Sequence, residues 1–527
     1  MSREAEQSLE LVMRVLPRGW VWAKLEEMCY SPRQDIVDGP FGSDLKASEY
    51  RSDGVPVIRL QNIQRNEFVR KNIEHITLKK AQELRRHSFS RGDIVVTKLG
   101  EPLGKACIIP EDMEWGIVVA DLVRVRVAQD LISRKAVAYA INSEAVSKQL
   151  ERKIKGTTRP RVNLNHIRSL LIPLPPYSEQ LRIVARIEEL LTKLNAGVKS
   201  LETVKAQLKR YRQSVLKSAF DGKLTEEWRR THRGELEPAS ELLVRIRQEQ
   251  LKKWEEDLIA KGQDPKKCKY GEAKPPNTTD LPDLPERWCW ATWNQISNWV
   301  TYGFTRPVPH VREGFPIVTA KHVFGRKIDF STTHRTTDAV FHSLSEKDKP
   351  VQGDILLTKD GSIGRVAIVE TTKQFCINQS VAVIWLRSCP MERRYLAAII
   401  ESPFTQEQIH AKARGAAIQH VSITDFALMP LPVPPLAEQE AIAEEIEQRF
   451  SIVEEVEKTV VNDSRQAGKL RQSILKCAFE GKLVPQVPND EPASMLLERI
   501  KSLKAQMIQG QKAKKGRQDE RKQRRLM

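Results

Sequence analysis

The sequence predicts an α+β chain organised as an internal duplication with a pseudo-two-fold axis. Two mixed α/β globular copies are joined by two long helices that form an antiparallel coiled coil. Three observations carry this expectation: five segments recur in the same order, each copy runs into a long stretch of helix formers, and those two stretches share one apolar register.

Self-similarity at a long, nearly fixed spacing is the mark of a repeated structural unit. Residues 212–224 (RQSVLKSAFDGKL) and 471–483 (RQSILKCAFEGKL) agree at ten of thirteen positions, at an offset of 259. At that same offset IPLPPYSEQ (172–180) matches LPVPPLAEQ (431–439). Upstream, GDIVVTKLGEPLGKACII (92–109) resembles GDILLTKDGSIGRVAIV (353–369), and LPRGWVWAKLEEM (16–28) resembles LPERWCWATWNQI (284–296). Downstream, EPASELLVRI (237–246) returns as EPASMLLERI (491–500). Similarity is close from the PPxxEQ motif onward and sparse before it, the pattern of a shared scaffold carrying two different surfaces.

In chain order, residues 1–15 form an amino-terminal extension and 16–177 the first globular copy. Residues 178–220 are the first long helix, 221–262 a charged helical segment, and 263–283 a Pro- and Lys-rich linker. Residues 284–436 are the second globular copy, 437–479 the second long helix, 480–510 a further helical segment and 511–527 a basic tail.

Pro175-Pro176 and Ser178 are helix-start signals. The first helix places Ile183, Ile187, Leu190, Leu194, Gly197, Leu201, Val204, Leu208, Tyr211 and Val215 at steps of four and three. The second places Ile442, Ile446, Arg449, Val453, Val456, Val460, Asp463, Ala467, Leu470 and Ile474 on the same steps. One register held over more than four heptads argues for a coiled coil. The competing reading is two amphipathic helices, each packing on its own copy. At about 1.5 Å per residue the shared seam makes a rod of about 50 Å, longer than one small domain needs. Each globular copy precedes its helix, so antiparallel pairing keeps the connection short and puts one copy at each end.

Composition narrows the partner. Lys and Arg number 86 against 68 Asp and Glu, a net charge of +18. Such an excess favours polyanions, because cationic surfaces release counterions condensed on nucleic acid. The last sixteen residues carry eight basic and two acidic side chains, one third of the excess, and read either as a solvated terminus or as a DNA contact. Two DNA readers about a helical turn apart, on the order of 34 Å, would suit two half-sites. No apolar run approaches the roughly 18 residues that cross a bilayer, so no membrane partner is expected. The seven cysteines lack a CxxC pair, which fits free thiols in a reducing cytoplasm and no metal site.

No catalytic motif is present. GEPLGK (100–105) is one residue too short for a phosphate-cradling loop and is followed by Ala106 rather than Ser or Thr. Its counterpart DGSIGR (360–365) marks both as glycine turns between strands. There is no GxGxxG after a strand, no HExxH and no methylase-type Asn-Pro-Pro-aromatic sequence.

With GPFGSDLK (39–46), the two GDI segments, the two PPxxEQ-led helices and the RQSxLKxAFxGKL repeat, the chain resembles the DNA specificity subunit of Type I restriction–modification enzymes. The resemblance implies two target recognition domains, each reading one half of a bipartite, asymmetric sequence in double-stranded DNA. It also implies assembly with two methyltransferase (modification) subunits and with restriction/translocase subunits. Cofactors would then be absent from this chain, with S-adenosylmethionine, ATP and Mg held by those partners. The charged segments after each long helix would pack near the coiled coil or offer a docking surface. Two other functions compete: a coiled-coil scaffold that does not touch DNA, and a methylase or nuclease fused to recognition domains.

Base readout favours long polar side chains on loops, and phosphate contacts come from any cation. The candidates are Lys98, Lys105, Arg159 and Arg161 in the first copy and Lys321, Lys359, Arg365 and Arg414 in the second. Lys98 aligns with Lys359 and Lys105 with Arg365, which suggests a shared backbone task. Arg159 and Arg161 align with Ile418 and His420, which suggests different base readout. For each, the alternative is a solvated surface charge.

Overall fold

The first and last strands of each globular copy pair with one another, so the chain enters and leaves at one place. The computed structural model describes residues 15–153, 160–232, 234, 236–387, 389–415 and 419–526, with side chains to 509. It divides into unit 1, Met1–Leu201 with Asn462–Met527, and unit 2, Glu202–Val461.

The strands of unit 1 are β1 (Val21–Lys24), β2 (Ile36–Asp38), β3 (Val55–Ile58), β4 (Ile63–Gln64), β5 (Glu67–Phe68) and β6 (Glu74–Ile76), continued by β7 (Ser88–Ser90), β8 (Ile94–Thr97), β9 (Ala106–Ile108), β10 (Trp115–Val118), β11 (Leu122–Val125) and β12 (Leu171–Leu174). They form sheets β2-β11-β8-β9 and β6-β3-β10-β7, a β1-β12 ribbon and a β4-β5 hairpin. Unit 2 repeats the plan with β13 (Cys289–Thr292), β14 (Trp299–Tyr302), β15 (Phe315–Val318), β16 (Val323–Phe324), β17 (Lys327–Ile328) and β18 (His334–Thr336), then β19 (Ile355–Thr358), β20 (Val366–Ile368), β21 (Cys376–Ile377), β22 (Val381–Trp385) and β23 (Pro430–Val433). Its sheets are β14-β22-β19-β20 and β18-β15-β21, with a β13-β23 ribbon and a β16-β17 hairpin. Helices α1 (Arg134–Asn142) and α2 (Glu144–Glu151) in unit 1 correspond to α3 (Arg393–Glu401) and α4 (Pro403–Ala411) in unit 2.

The recurrent GDI segment is a turn feeding a central strand. Gly92 and Gly353 sit at φ +78° and +90°, where a side chain would be strained. The following aspartate closes the turn: Asp93 accepts from the Ser90 amide at 2.7 Å and Asp354 from the Val351 amide at 3.0 Å. The β-branched and aliphatic residues of β8 and β19 then enter a site where both faces are covered, and every one of them is buried.

The PPxxEQ motif docks each long helix onto its own unit. Gln180 donates Nε2–H to the Pro175 carbonyl (2.8 Å) and accepts from the Ser133 amide (2.9 Å) at the start of α1. Gln439 does the same with Pro434 (2.9 Å) and the Glu392 amide (3.0 Å) before α3. The neighbouring glutamates, Glu179 and Glu438, accept indole N–H bonds from Trp20 (2.9 Å) and Trp288 (2.8 Å).

The long helices run Tyr177–Phe220 and Leu436–Phe479. Within unit 1, Ile183 and Ile187 share a core with Ile474, Leu475, Ala478 and Phe479, and Asn195 meets Arg471. Within unit 2, Val215, Leu216, Ala219 and Phe220 share a core with Ile442, Ile446 and Phe450, and Arg212 reaches Glu457 at 3.2 Å. Rising numbers on one helix meet falling numbers on the other, so the pairing is antiparallel.

The seam needs one correction. Ile442, Ile446, Val453, Val460, Ala467 and Ile474 are buried, as are Ile183, Ile187 and Val215, whereas Leu190, Leu194, Leu201, Val204 and Leu208 are half-buried. Val456 and Leu470 are exposed, at 37% and 50%, as are Asp463, Gly197 and Tyr211. The alternate seam position lies one residue further on, at Phe450 and Glu457, and at Arg212 rather than Tyr211. A heptad can step four-then-three or three-then-four from the same anchors, and at these positions the packing takes the former.

The segments after the helices are anchored by their EPAS repeats. In unit 2, Ala239, Leu242 and Ile246 of the helix Ala239–Ala260 join the core; in unit 1, Ala493, Leu496 and Ile500 of the helix Ala493–Leu526 do so. The backbone of that last helix continues through the basic tail to 526, a difference from the separate tail expected; its Lys-, Arg-, Gln- and Glu-rich sequence consists of good helix formers.

Candidate nucleic-acid interface

The candidate cations gather where β8 and β19 end. In unit 1, Lys98 donates its amide to the Asp121 carbonyl (2.9 Å) and accepts from the Val162 amide (3.0 Å), so three loops meet on its backbone. Leu99 bridges to Arg161. In unit 2, Lys359 makes the same two bonds, its amide donating to the Ser380 carbonyl (3.0 Å) and its carbonyl accepting from the Val421 amide (2.9 Å), and Asp360 bridges to His420.

The backbone arrangement is shared and the side chains are not. Lys98 is only 9% exposed, and its Nζ lies 2.5 Å from Asp38 Oδ2. Where Asp38 stands in unit 1, Tyr302 stands in unit 2. Lys359 lies 5.1 Å from the centre of the Tyr302 ring and 2.8 Å from Asp360 Oδ1. These two lysines are therefore largely withdrawn from water and charge-compensated rather than free cations, because a buried ammonium must be neutralised. Arg161 remains accessible and pairs with Asp121, whose counterpart is Ser380. Arg414 is exposed and lies 3.6 Å from Asp425.

The β4-β5 and β16-β17 hairpins supply the other pair. Lys105 Nζ donates to Gln64 Oε1 at 3.2 Å, whereas Arg365 lies over the Phe324 ring at 5.8 Å. Their bases differ as well. Asn66 accepts from the Asn142 amide at 2.6 Å, while Arg326, at the equivalent position with the same positive φ, pairs with Glu401 at 2.7 Å. Lys321 is exposed beside the second hairpin, and Arg159 lies outside the described residues.

The sequence did not single out the exposed aromatics at this rim. Phe41, in the GPFGSDLK loop, is 75% exposed and Phe324 is 72% exposed. The available signal was a phenylalanine flanked by turn residues: Gly39 admits no side chain, since a Cβ there would lie 2.1 Å from the Val119 carbonyl carbon. Among the described residues no group of three or more His, Cys, Asp or Glu could hold a metal ion. Burial pushes the thiols of Cys107, Cys376 and Cys389 up to about 12, which leaves them protonated and poor nucleophiles. Among the described residues no helix is long and apolar enough to cross a membrane.

Two copies of one reader frame, each ending in a rim of cations and exposed aromatics and each docked on a paired long helix, define a duplicated nucleic-acid-recognition subunit. The chain belongs to the family of the Type I restriction modification DNA specificity domain, whose model matches residues 17–205 and 310–462. It is 23% identical over 478 residues to the Type I restriction enzyme EcoBI specificity subunit of Escherichia coli, covering 88% of this chain and 90% of that one. It is 24% identical over 523 residues to the EcoKI specificity subunit of E. coli K12, covering 93% and 96%. Its fold resembles a chain solved in work on complex assembly and conformational transition of the type I R-M system, with TM-score 0.61 and 18% identity over 89% of this chain and all of that one.

Proposed function

We propose that this chain is the sequence-specific DNA-binding subunit of a cytoplasmic Type I restriction–modification complex. Each unit reads one half of a bipartite, asymmetric target. The chain docks two methyltransferase subunits and restriction/translocase subunits, and those partners carry the catalysis together with S-adenosylmethionine, ATP and Mg.

One observation carries the asymmetry: equivalent rim positions keep their backbone bonds and change their side chains. Asp38, Asp121 and Arg161 in unit 1 stand against Tyr302, Ser380 and His420 in unit 2. Readers that differ in donors and acceptors recognise different base edges. The exposed residues Arg161, Arg365, Lys321 and Arg414 and the half-buried Lys105 are the proposed contacts, with Lys98 and Lys359 supporting them.

The test is Arg161→Ala in the complex with the methyltransferase partner, assayed against duplexes altered in one half-site at a time. The expected loss is about 1–3 kcal/mol with relaxed preference at one half-site only. A uniform loss across all sequences would make Arg161 a phosphate contact, and unchanged binding would remove it from the interface.

A further inference from the structure

The duplication provides an internal control for a cavity in unit 1. In unit 2, Phe404 at the start of α4 packs its ring, tilted, 4.4 Å from that of Phe220 and 5.9 Å from that of Trp290. The Trp290 indole N–H in turn donates to the Pro282 carbonyl at 3.2 Å. The equivalent residues of unit 1 are Phe479, the last of the second long helix, Trp22 of β1, and Ala145 of α2. The correspondence is exact in local structure: Trp22 faces Pro173 across its ribbon as Trp290 faces Pro432, and Ser143 and Ser402 precede α2 and α4 with the same hydroxyl-to-carbonyl bond.

Where unit 2 carries the Phe404 ring, unit 1 has Ala145 beside a cavity of about 490 Å³ whose lining includes Trp22, Ala145 and Phe479. That volume lies within the range of about 300–1,000 Å³ typical of small-molecule sites. Trp22 Nε1 is buried and has no hydrogen-bond acceptor among the described residues. The rim is cationic. Lys148 and Lys482 are already paired with Glu144 and Glu480, but Arg152 and Lys476, which also line the cavity, make no ion pair with a described residue.

We propose that this cavity is a binding site for a small aromatic anion of the arylcarboxylate class. Its ring takes the place that the Phe404 ring holds in unit 2, between the rings of Trp22 and Phe479. A ligand oxygen accepts the Trp22 indole N–H, and the carboxylate is held by Arg152 and Lys476. The chemistry matches each lining group: aromatic faces for a ring, a donor with no acceptor among the described residues for an acceptor, and two cations with no ion pair among them for a negative charge.

Ligand-observed fluorine NMR on the full chain with 4-fluorophenylacetate tests this, with neutral 4-fluorobenzyl alcohol as comparator. The expected result is line broadening of the anion by the wild type, lost at least tenfold in Ala145→Phe, which rebuilds the unit 2 arrangement and leaves the melting temperature unchanged or higher. The double variant Arg152→Gln with Lys476→Gln should weaken the anion severalfold and leave the alcohol unchanged. No broadening by the wild type at millimolar probe overturns the site, as does undiminished binding to a folded Ala145→Phe. Should that variant fail to melt cooperatively, Ala145→Leu fills the cavity less completely and must weaken binding in the same direction.

Discussion

Glu179 and Glu438 occupy the same position in the two copies, and both are buried, yet their surroundings differ. Glu438 accepts from Trp288, from the Thr225 hydroxyl (2.8 Å) and from Arg229 Nε (2.8 Å). The counterpart of Thr225 is Val484, and the segment 484–490 holds no cation, so Glu179 Oε1 has no partner among the described residues. Desolvation raises the Glu179 carboxyl above its usual 4.5. A carboxyl raised in the folded state binds its proton more tightly there than in the unfolded chain, so stability falls as pH rises from 4.5 through the shifted value. Thermal melting of Glu179→Gln should therefore show a flatter pH profile than the wild type over that window, with a higher melting temperature at neutral pH. Glu438→Gln should instead lower the melting temperature, losing about 3 kcal/mol because the partly buried Arg229 is left without its counter-charge. Equal losses in both variants would contradict this assignment. The EQ pair was visible in the sequence; the difference between its two settings was not, because it depends on residues 213 positions from Glu438 and 305 positions from Glu179 that only the fold brings together.

At the scale of elements, the long helices were the most legible part of the chain. Proline starts, uninterrupted helix formers and apolar periodicity act locally, and they gave both helices to within a residue or two. The seam was right at the positions common to both ways of stepping a heptad and at Leu190 and Val204, and wrong at others between them, such as Val456, Leu470 and Tyr211. Phe450 shows the cost of that ambiguity: it is 8% exposed and stacks against Arg212 at 4.7 Å, while Val456 faces outward. Phe450→Ala should lower stability by about 3–5 kcal/mol, and Val456→Ala should change it by no more than about 0.5 kcal/mol. Denaturant unfolding of the two variants checks this, and the opposite ranking would restore the original register. The sheets were far less legible. Their strands are two to five residues long, and β3 pairs in parallel with β10 some 60 residues away, a contact that no local pattern encodes.

At the scale of the molecule, the repeat itself foretold the architecture, since matched segments at matched spacing require matched structure. The rim was only partly legible for the same reason. Alignment of Lys98 with Lys359 located the shared backbone junction, but burial and the partners Asp38 and Tyr302 assign those lysines a supporting role. Substituting Lys98 with Met should accordingly lower thermal stability more than it weakens DNA binding per folded molecule, as read by melting and by binding on the same preparation. What the two copies do not share is what makes their targets different. The most direct measurement is selection of bound duplexes from a random-sequence library, using the chain assembled with its methyltransferase partner. The expected product is two unlike short motifs at a fixed separation; a palindrome, a single contiguous motif or no enrichment would contradict two different readers on one repeated scaffold.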